Sequence, residues 1–358
     1  MDFYEIKERA LKSGTTEVRP AWRVLRFKDL MIRGKSFYAV YNPETHFWST
    51  NEYDLTRIVD ADVARQFEEA SKRVDGSVWA RYLGDYDSKT YADYKSWMSK
   101  LPDVYHPLDG GILFADQTPR REDYATRTLT YSLSDDPCPA YEELMSTLYD
   151  PDEREKLEWG IGSVFAGDSK WIQKFFVLYG SAGSGKSTFL NLLSRLLDDH
   201  IGKFDAAALG RPSDQFALEP FKSNPRVAIQ HDGNLSKSAD NSRLNSLISH
   251  EPMVMNEKGK SLYEFKSEAM LFVGTNLPVR ITDSKSGLTR RLIDVEPSGR
   301  KLDIHRYNDI MDRIEGERGS IVKHCVDFYK SKGSSYYDDY KPIGMTRKTN
   351  PNFNFCPF

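Results

Sequence analysis

Hydrophobic positions along the chain follow two patterns. Up to about residue 105 they form short aromatic runs among polar residues: Ser36-Phe37-Tyr38-Ala39-Val40-Tyr41 reads as a strand and Val63 to Val74 as a helix. Further on come unbroken apolar runs of strand length, at Phe175-Phe176-Val177-Leu178-Tyr179, Arg226-Val227-Ala228-Ile229-Gln230, Ala269-Met270-Leu271-Phe272-Val273-Gly274 and Arg291-Leu292-Ile293-Asp294-Val295. Runs without polar alternation mark parallel strands covered on both faces. Helical or hairpin-like stretches separate them, and that alternation predicts an α/β domain.

Punctuation sets the boundaries. Pro, Gly and Asp cluster from Leu101-Pro102-Asp103 through His106-Pro107-Leu108-Asp109-Gly110-Gly111, so a second unit is expected to begin near Ile112. Between Tyr141 and Val164 the period becomes helical, with Pro151-Asp152-Glu153 opening a segment in which Leu157, Ile161 and Val164 share a face. After Lys301 a last helical region follows, with Ile310, Ile314, Ile321, Cys325, Val326 and Tyr329 on apolar faces. Beyond Tyr336 the chain is polar and rich in Pro and Asn. The expected organisation is a small mixed α/β region over 1–105 without a legible role, a helical domain over 106–168, an α/β core over 169–302, and a helical region with a tail over 303–358.

Composition narrows the classes. The chain has 358 residues, with 50 Lys and Arg against 53 Asp and Glu, a net charge of −3. Contact with nucleic acid must therefore come from a local basic patch. Cys138, Cys325 and Cys356 stand apart without a paired spacing, which argues against a disulfide framework or a zinc site and for a reducing, cytoplasmic setting. Nothing in the sequence approaches the roughly 18 unbroken apolar residues of a membrane span.

One motif carries specific chemistry. Gly180-Ser181-Ala182-Gly183-Ser184-Gly185-Lys186-Ser187, followed by Thr188, lies between an apolar strand and an apolar helix. Its glycines permit backbone geometry in which successive N–H groups converge on phosphate oxygens, and the helix adds its positive end. Lys186 is expected to touch the β- and γ-phosphates of ATP, and Ser187 to give a hydroxyl to Mg²⁺. The alternative is a chance glycine-rich turn, which the strand–loop–helix frame disfavours.

Weaker signals follow in order. Asp232, after Val227-Ala228-Ile229-Gln230-His231, is placed to hold the metal and orient water, although an acid capping a strand is common; a second acid is missing beside it, and Glu251 is a possible helper. Asn276, at the tip of the strand ending Gly274-Thr275, reads as a sensor of the γ-phosphate, or simply as a turn residue before Pro278. Arg290 and Arg291 precede a strand, and one of them could reach the nucleotide of an adjacent copy. Asn256 to Lys266 suggests a hairpin with Lys258 and Lys260 at its tip, suited to a single-stranded DNA backbone, though such tips are commonly just solvated.

Together the series Gly180–Ser187, Asp232, Lys258/Lys260, Asn276 and Arg290-Arg291 resembles superfamily 3 helicases, in the phage and plasmid group related to poxvirus-type primase-helicases. The resemblance spans about residues 106 to 345 and includes Glu158-Trp159-Gly160-Ile161-Gly162, similar to the helical domain preceding the motor in that group. It implies an AAA+-like P-loop NTPase core that forms a ring, usually a hexamer, binds ATP between subunits with Mg²⁺, binds single-stranded or forked DNA, and translocates on DNA to unwind it during replication of a phage or mobile element. A replicative polymerase or primase as partner, and the host cytoplasm as location, follow from the same resemblance. The single acid in His231-Asp232-Gly233 departs from the group's pattern, and residues 1–105 are short for a complete primase. Two other readings share the P-loop: a nucleotide-switched DNA-loading module without unwinding, and a DNA-packaging ATPase, which does not predict the hairpin and the motifs after it.

Overall fold

A computed structural model describes residues 4–14, 16–22, 28–72, 96–233, 235, 240–258, 261–276 and 287–342. The chain divides into two units: one comprises Met1–Leu108, Thr118–Arg127 and Lys258–Tyr263, the other Asp109–Gln117, Thr128–Glu257 and Glu264–Phe358.

In the first unit, β1 (Tyr4–Ala10) and β2 (Thr16–Trp22) pair antiparallel. Next, β3 (Leu30–Arg33), β4 (Ser36–Tyr41) and β5 (Trp48–Ser49) form an antiparallel sheet, with β4 on the strand expected there. A small core of Met31, Tyr38, Ala39, Trp48 and Leu108 holds it. Helix α1 runs over Glu52–Ser71, eleven residues earlier than the expected start at Val63. The start signal is polar and escapes an apolar-period reading: Asn51 Oδ1 accepts the Tyr53 N–H, and Glu52 and Asp54 lie in the first turn. Val74 lies outside the described residues.

The second unit opens with α2 (Pro139–Leu148) and α3 (Pro151–Phe165), each with Pro at its first turn. Then follow β6 (Phe175–Tyr179), α4 (Lys186–Leu197), β7 (Ile201–Lys203), α5 (Ala206–Leu209), β8 (Val227–Gln230), α6 (Ser242–Ile248), β9 (Met253–Met255), β10 (Tyr263–Phe265), β11 (Met270–Thr275), α7 (Leu288–Arg291), β12 (Leu292–Val295) and α8 (Ile304–Lys332). Five strands make one sheet in the order β12-β6-β11-β8-β7, with every pair parallel. This is an α/β core of the P-loop type, with β6, β8, β11 and β12 on the predicted runs. The short β7, with Gly202 at its centre, was not foreseen.

Strand order determines what the sheet can present. β11 inserts between β6 and β8, so the loops leaving these three neighbours lie side by side at the C-terminal edge, where open α/β sheets bind ligands. The rings of Phe176 and Phe272 stack across β6 and β11 at 4.6 Å. Helices α2, α3 and α8 bury their apolar faces in the same core as the sheet, so the segments expected as 106–168, 169–302 and 303–358 share one interior. Gly162 is the reason α3 and α8 pack so closely: a Cβ there would lie 2.1 Å from the Cys325 carbonyl oxygen. Among the described residues, no helix is long and apolar enough to cross a membrane.

Candidate active site

The loop after β6 takes its shape from glycine. Gly183 and Gly185 have φ of +72° and +104°, open to glycine at no steric cost. Gly185 is the N-cap of α4 and supplies no capping side chain, so the first N–H groups of this twelve-residue helix remain for an anion. Lys186, 5% exposed, donates from Nζ to the carbonyl oxygens of Gly180 and Ser181, both at 2.8 Å. Burial lowers its pKa, and the charge of Asp232 opposes that shift.

Ala182 to Thr188 line a cavity of about 480 Å³ together with Asp232, after β8, and Asn276, after β11. The strand tips are tied together, since the Gly233 N–H donates to the Gly274 carbonyl at 2.7 Å. Residues that stand about 45 apart in sequence, Lys186, Asp232 and Asn276, thus meet in one place. Asp232 is the only carboxylate lining this cavity among the described residues. Glu251 is elsewhere, accepting from Ser246 Oγ at 2.8 Å.

A donor set of one hydroxyl, Ser187, and one carboxylate, Asp232, fits Mg²⁺, an ion commonly held by one or two protein groups with phosphate oxygens and water. Among the described residues there is no cluster of three or more His, Cys, Asp or Glu that could form an all-protein cage.

The rest of the lining was not anticipated. Leu148 ends α2, while Arg300, Lys301, Leu302, Ile304 and Tyr307 come from the turn after β12 and the start of α8. That turn is fastened to α2: the Ser298 N–H donates to the Leu148 carbonyl at 2.8 Å, and Arg300 donates to the carbonyls of Ser146 and Thr147 and to Asp150. Lys301 is the cation left beside the loop, its Nζ 3.8 Å from where a Gly183 Cβ would stand. The basic pair after Pro297-Ser298-Gly299 was the one available sequence signal.

Arg290 and Arg291 are not in this cavity. They end α7 at the N-terminal edge of the sheet and line a second cavity of about 370 Å³ with Trp171, Lys174 and Asp338. Arg290 is exposed, whereas Arg291 is only 9% exposed. Arg291 Nη1 lies 3.4 Å from Asn245 Oδ1 and 3.3 Å from the Gly287 carbonyl, and its Nε has no partner. Burial, then the charge of Arg290, lowers its pKa. Lys174 Nζ donates to the carbonyls of Arg290 and Asp338. Lys258 is exposed, and its segment belongs to the first unit; Lys260 lies outside the described residues.

A family of unknown function (DUF5906) matches residues 178–291, from the end of β6 through α7. Among solved structures, the chain is similar to the apo C-terminal region of NrS-1 (residues 305–718), with 16% identity over 60% of this chain and 54% of that one and a TM-score of 0.44. It is also similar to the A form of the apo NrS-1 C-terminal region, with 14% identity over 69% of this chain and 66% of that one and a TM-score of 0.46. The chain thus spans between about half and two thirds of the length of these structures.

Proposed function

We propose that this chain is an ATP-hydrolysing motor acting on DNA, a superfamily 3 helicase with an AAA+-like core that works as a ring of six copies. The observation that supports it most is the meeting of the P-loop, Asp232 and Asn276 in one cavity at the C-terminal edge of a parallel sheet. The triphosphate of ATP would lie over the N–H groups of Gly183 to Thr188, with Lys186 on the β- and γ-phosphates. Ser187 and Asp232 would hold Mg²⁺, which would supply positive charge to neutralise the charge developing on the phosphates. Asn276 would hydrogen-bond the γ-phosphate and the attacking water, while the Asp232 carboxylate accepts a hydrogen bond from that water. The water oxygen bonds to the γ-phosphorus as the bond to the β–γ bridging oxygen breaks, giving ADP and phosphate.

Arg290, exposed at the opposite edge, is the arginine offered to the nucleotide of an adjacent copy, with Arg291 buried behind it. Lys258 and Lys260 are proposed to contact the phosphates of single-stranded or forked DNA. A role in replication of a phage or mobile element, beside a polymerase or primase in the host cytoplasm, completes this reading.

The test is ATP turnover by the purified protein with and without single-stranded DNA, alongside strand displacement on a forked duplex. The reading expects DNA to raise turnover several-fold and the fork to open with ATP. An identical rate with and without DNA would sink it. The lone carboxylate at Asp232 favours one second reading, a nucleotide-switched loading module, which expects DNA binding without strand displacement.

A further inference from the structure

In sequence, residues 256–262 connect β9 to β10; Lys258, Ser261, Leu262 and Tyr263, the first residue of β10, belong in space to the first unit. Arg33, at the end of β3, is 5% exposed, and its guanidinium carbon stands 4.0 Å from the ring centroid of Tyr38, 4.3 Å from that of Tyr105 and 4.3 Å from that of Tyr263. Its Nη2 has no hydrogen-bond partner. A guanidinium withdrawn from water and faced by three π systems is strongly tied to each of them, because its planar, weakly hydrated head suits stacking.

The surroundings reinforce that tie. Gly34 has φ of +61°, and a Cβ on it would lie 3.0 Å from the Ser261 carbonyl oxygen and 3.0 Å from Tyr263 Cδ1. The β3–β4 turn therefore touches the returning limb of the lysine turn directly. Asp103 fixes the β3–β4 turn by accepting the N–H groups of Gly34 at 3.1 Å and Lys35 at 2.9 Å. Ile32 and Val104 exchange backbone hydrogen bonds beside it, which keeps Tyr105 edge-on to Tyr38 at 5.0 Å.

We infer that Arg33 is a positioning residue for DNA: caged by Tyr38, Tyr105 and Tyr263, it anchors the limb Ser261–Tyr263 and so holds Lys258 ready for a nucleic-acid phosphate. The first unit then has a role, as the holder of the DNA contact. This inference rests on the reading of the Lys258 turn as a DNA contact. A turn fixed beforehand loses less freedom on binding, so releasing it weakens affinity without removing any charge that touches DNA.

Two measurements on the full chain test it. The first is the rate of tryptic cleavage after Lys258, followed by mass spectrometry. The second is affinity for an oligo-dT strand at fixed salt. Arg33→Met, which keeps an apolar stem in the cage, and Tyr263→Leu, which leaves Arg33 in place, are each expected to speed cleavage and to weaken oligo-dT binding by about tenfold. Tyr263→Phe should behave as wild type, and ATP hydrolysis without DNA should be unchanged in all three. Within a Lys258→Ala background, Arg33→Met should cost little further affinity, since both act through one turn. Unchanged cleavage in both Arg33→Met and Tyr263→Leu overturns the inference, as does faster cleavage with wild-type affinity. If Lys258→Ala lowers affinity in the latter case, only the role of Arg33 fails; if Lys258→Ala also leaves affinity unchanged, the DNA reading of the turn fails with it.

Discussion

The two edges of the parallel sheet are built in opposite ways. At the C-terminal edge the proposed means of holding phosphate is mostly backbone, shaped by Gly183 and Gly185, and the buried Lys186 is satisfied by the carbonyls of Gly180 and Ser181. Around it stand a hydroxyl, a carboxylate and an amide. At the N-terminal edge, Arg290, Arg291 and Lys174 border a cavity in which Asp338 is the acid, and the Nε of buried Arg291 has no partner. Arg291 is withdrawn from water with the charge of Arg290 against it and that of Glu251 in its favour, so this edge can take a further anion from outside. On the proposed reading that anion is the nucleotide of the next copy, because a head-to-tail contact joins unlike faces of identical chains. Each copy would then carry two halves of a site, one able to bind nucleotide by itself and one not.

The comparison breaks most sharply at Lys186. Lys186→Ala should lower ATP turnover by on the order of 10³ or more and weaken nucleotide binding in the same protein, both read in a coupled-enzyme assay and by fluorescent-nucleotide titration. Arg290→Ala should lower turnover by a similar order, about 10³, yet leave the nucleotide dissociation constant close to wild type. Weakened binding in that variant would place Arg290 in the same half-site as Lys186.

Stability separates the interior shared by both edges from its rim. Gly162→Ala would drive a methyl into the Cys325 carbonyl, and overpacking of this kind should cost about 3 kcal/mol, lowering the melting temperature by roughly 6–12 °C. The smallest effect is expected at His324, whose Nε2 lies 3.1 Å from Glu158 between α8 and α3. Hydrogen bonding to Glu158 raises the His324 pKa above 6.5 against the effect of burial. Burial would raise Glu158, but His324 and Arg154 hold it below its ordinary value. With the folded pKa of His324 raised, its stabilisation is fully present below pH 6.5 and is lost as pH climbs through the higher folded value. The ring is 39% exposed, so the effect should stay under about 1 kcal/mol, a fall in melting temperature of roughly 2–4 °C that His324→Gln abolishes.

Legibility in the sequence followed the range of each interaction. The P-loop was readable because its glycine spacing, the apolar strand before it and the helix after it are all local. Asp232 and Asn276 could be placed at strand tips, but the insertion of β11 between β6 and β8, which brings them to Lys186, arises from pairing between distant segments. Leu148, Ile304 and Tyr307 could not be found, since they reach the cavity only after α2 and the turn before α8 are fastened together. Separate helical segments were expected because nothing local reveals that Gly162 admits the backbone of α8. Arg33 carried no signal in the sequence, because the three tyrosines that face it are spread from position 38 to position 263.

The claim that the two edges are halves of one site is tested most directly by mixing Lys186→Ala with Arg290→Ala, each inactive alone, and measuring ATP turnover. Where an intact Lys186 faces an intact Arg290 on the next copy, activity should return, to roughly a quarter of wild type for random head-to-tail assembly at equal amounts. A mixture as inactive as its components, at concentrations where the two variants co-assemble, would contradict the account.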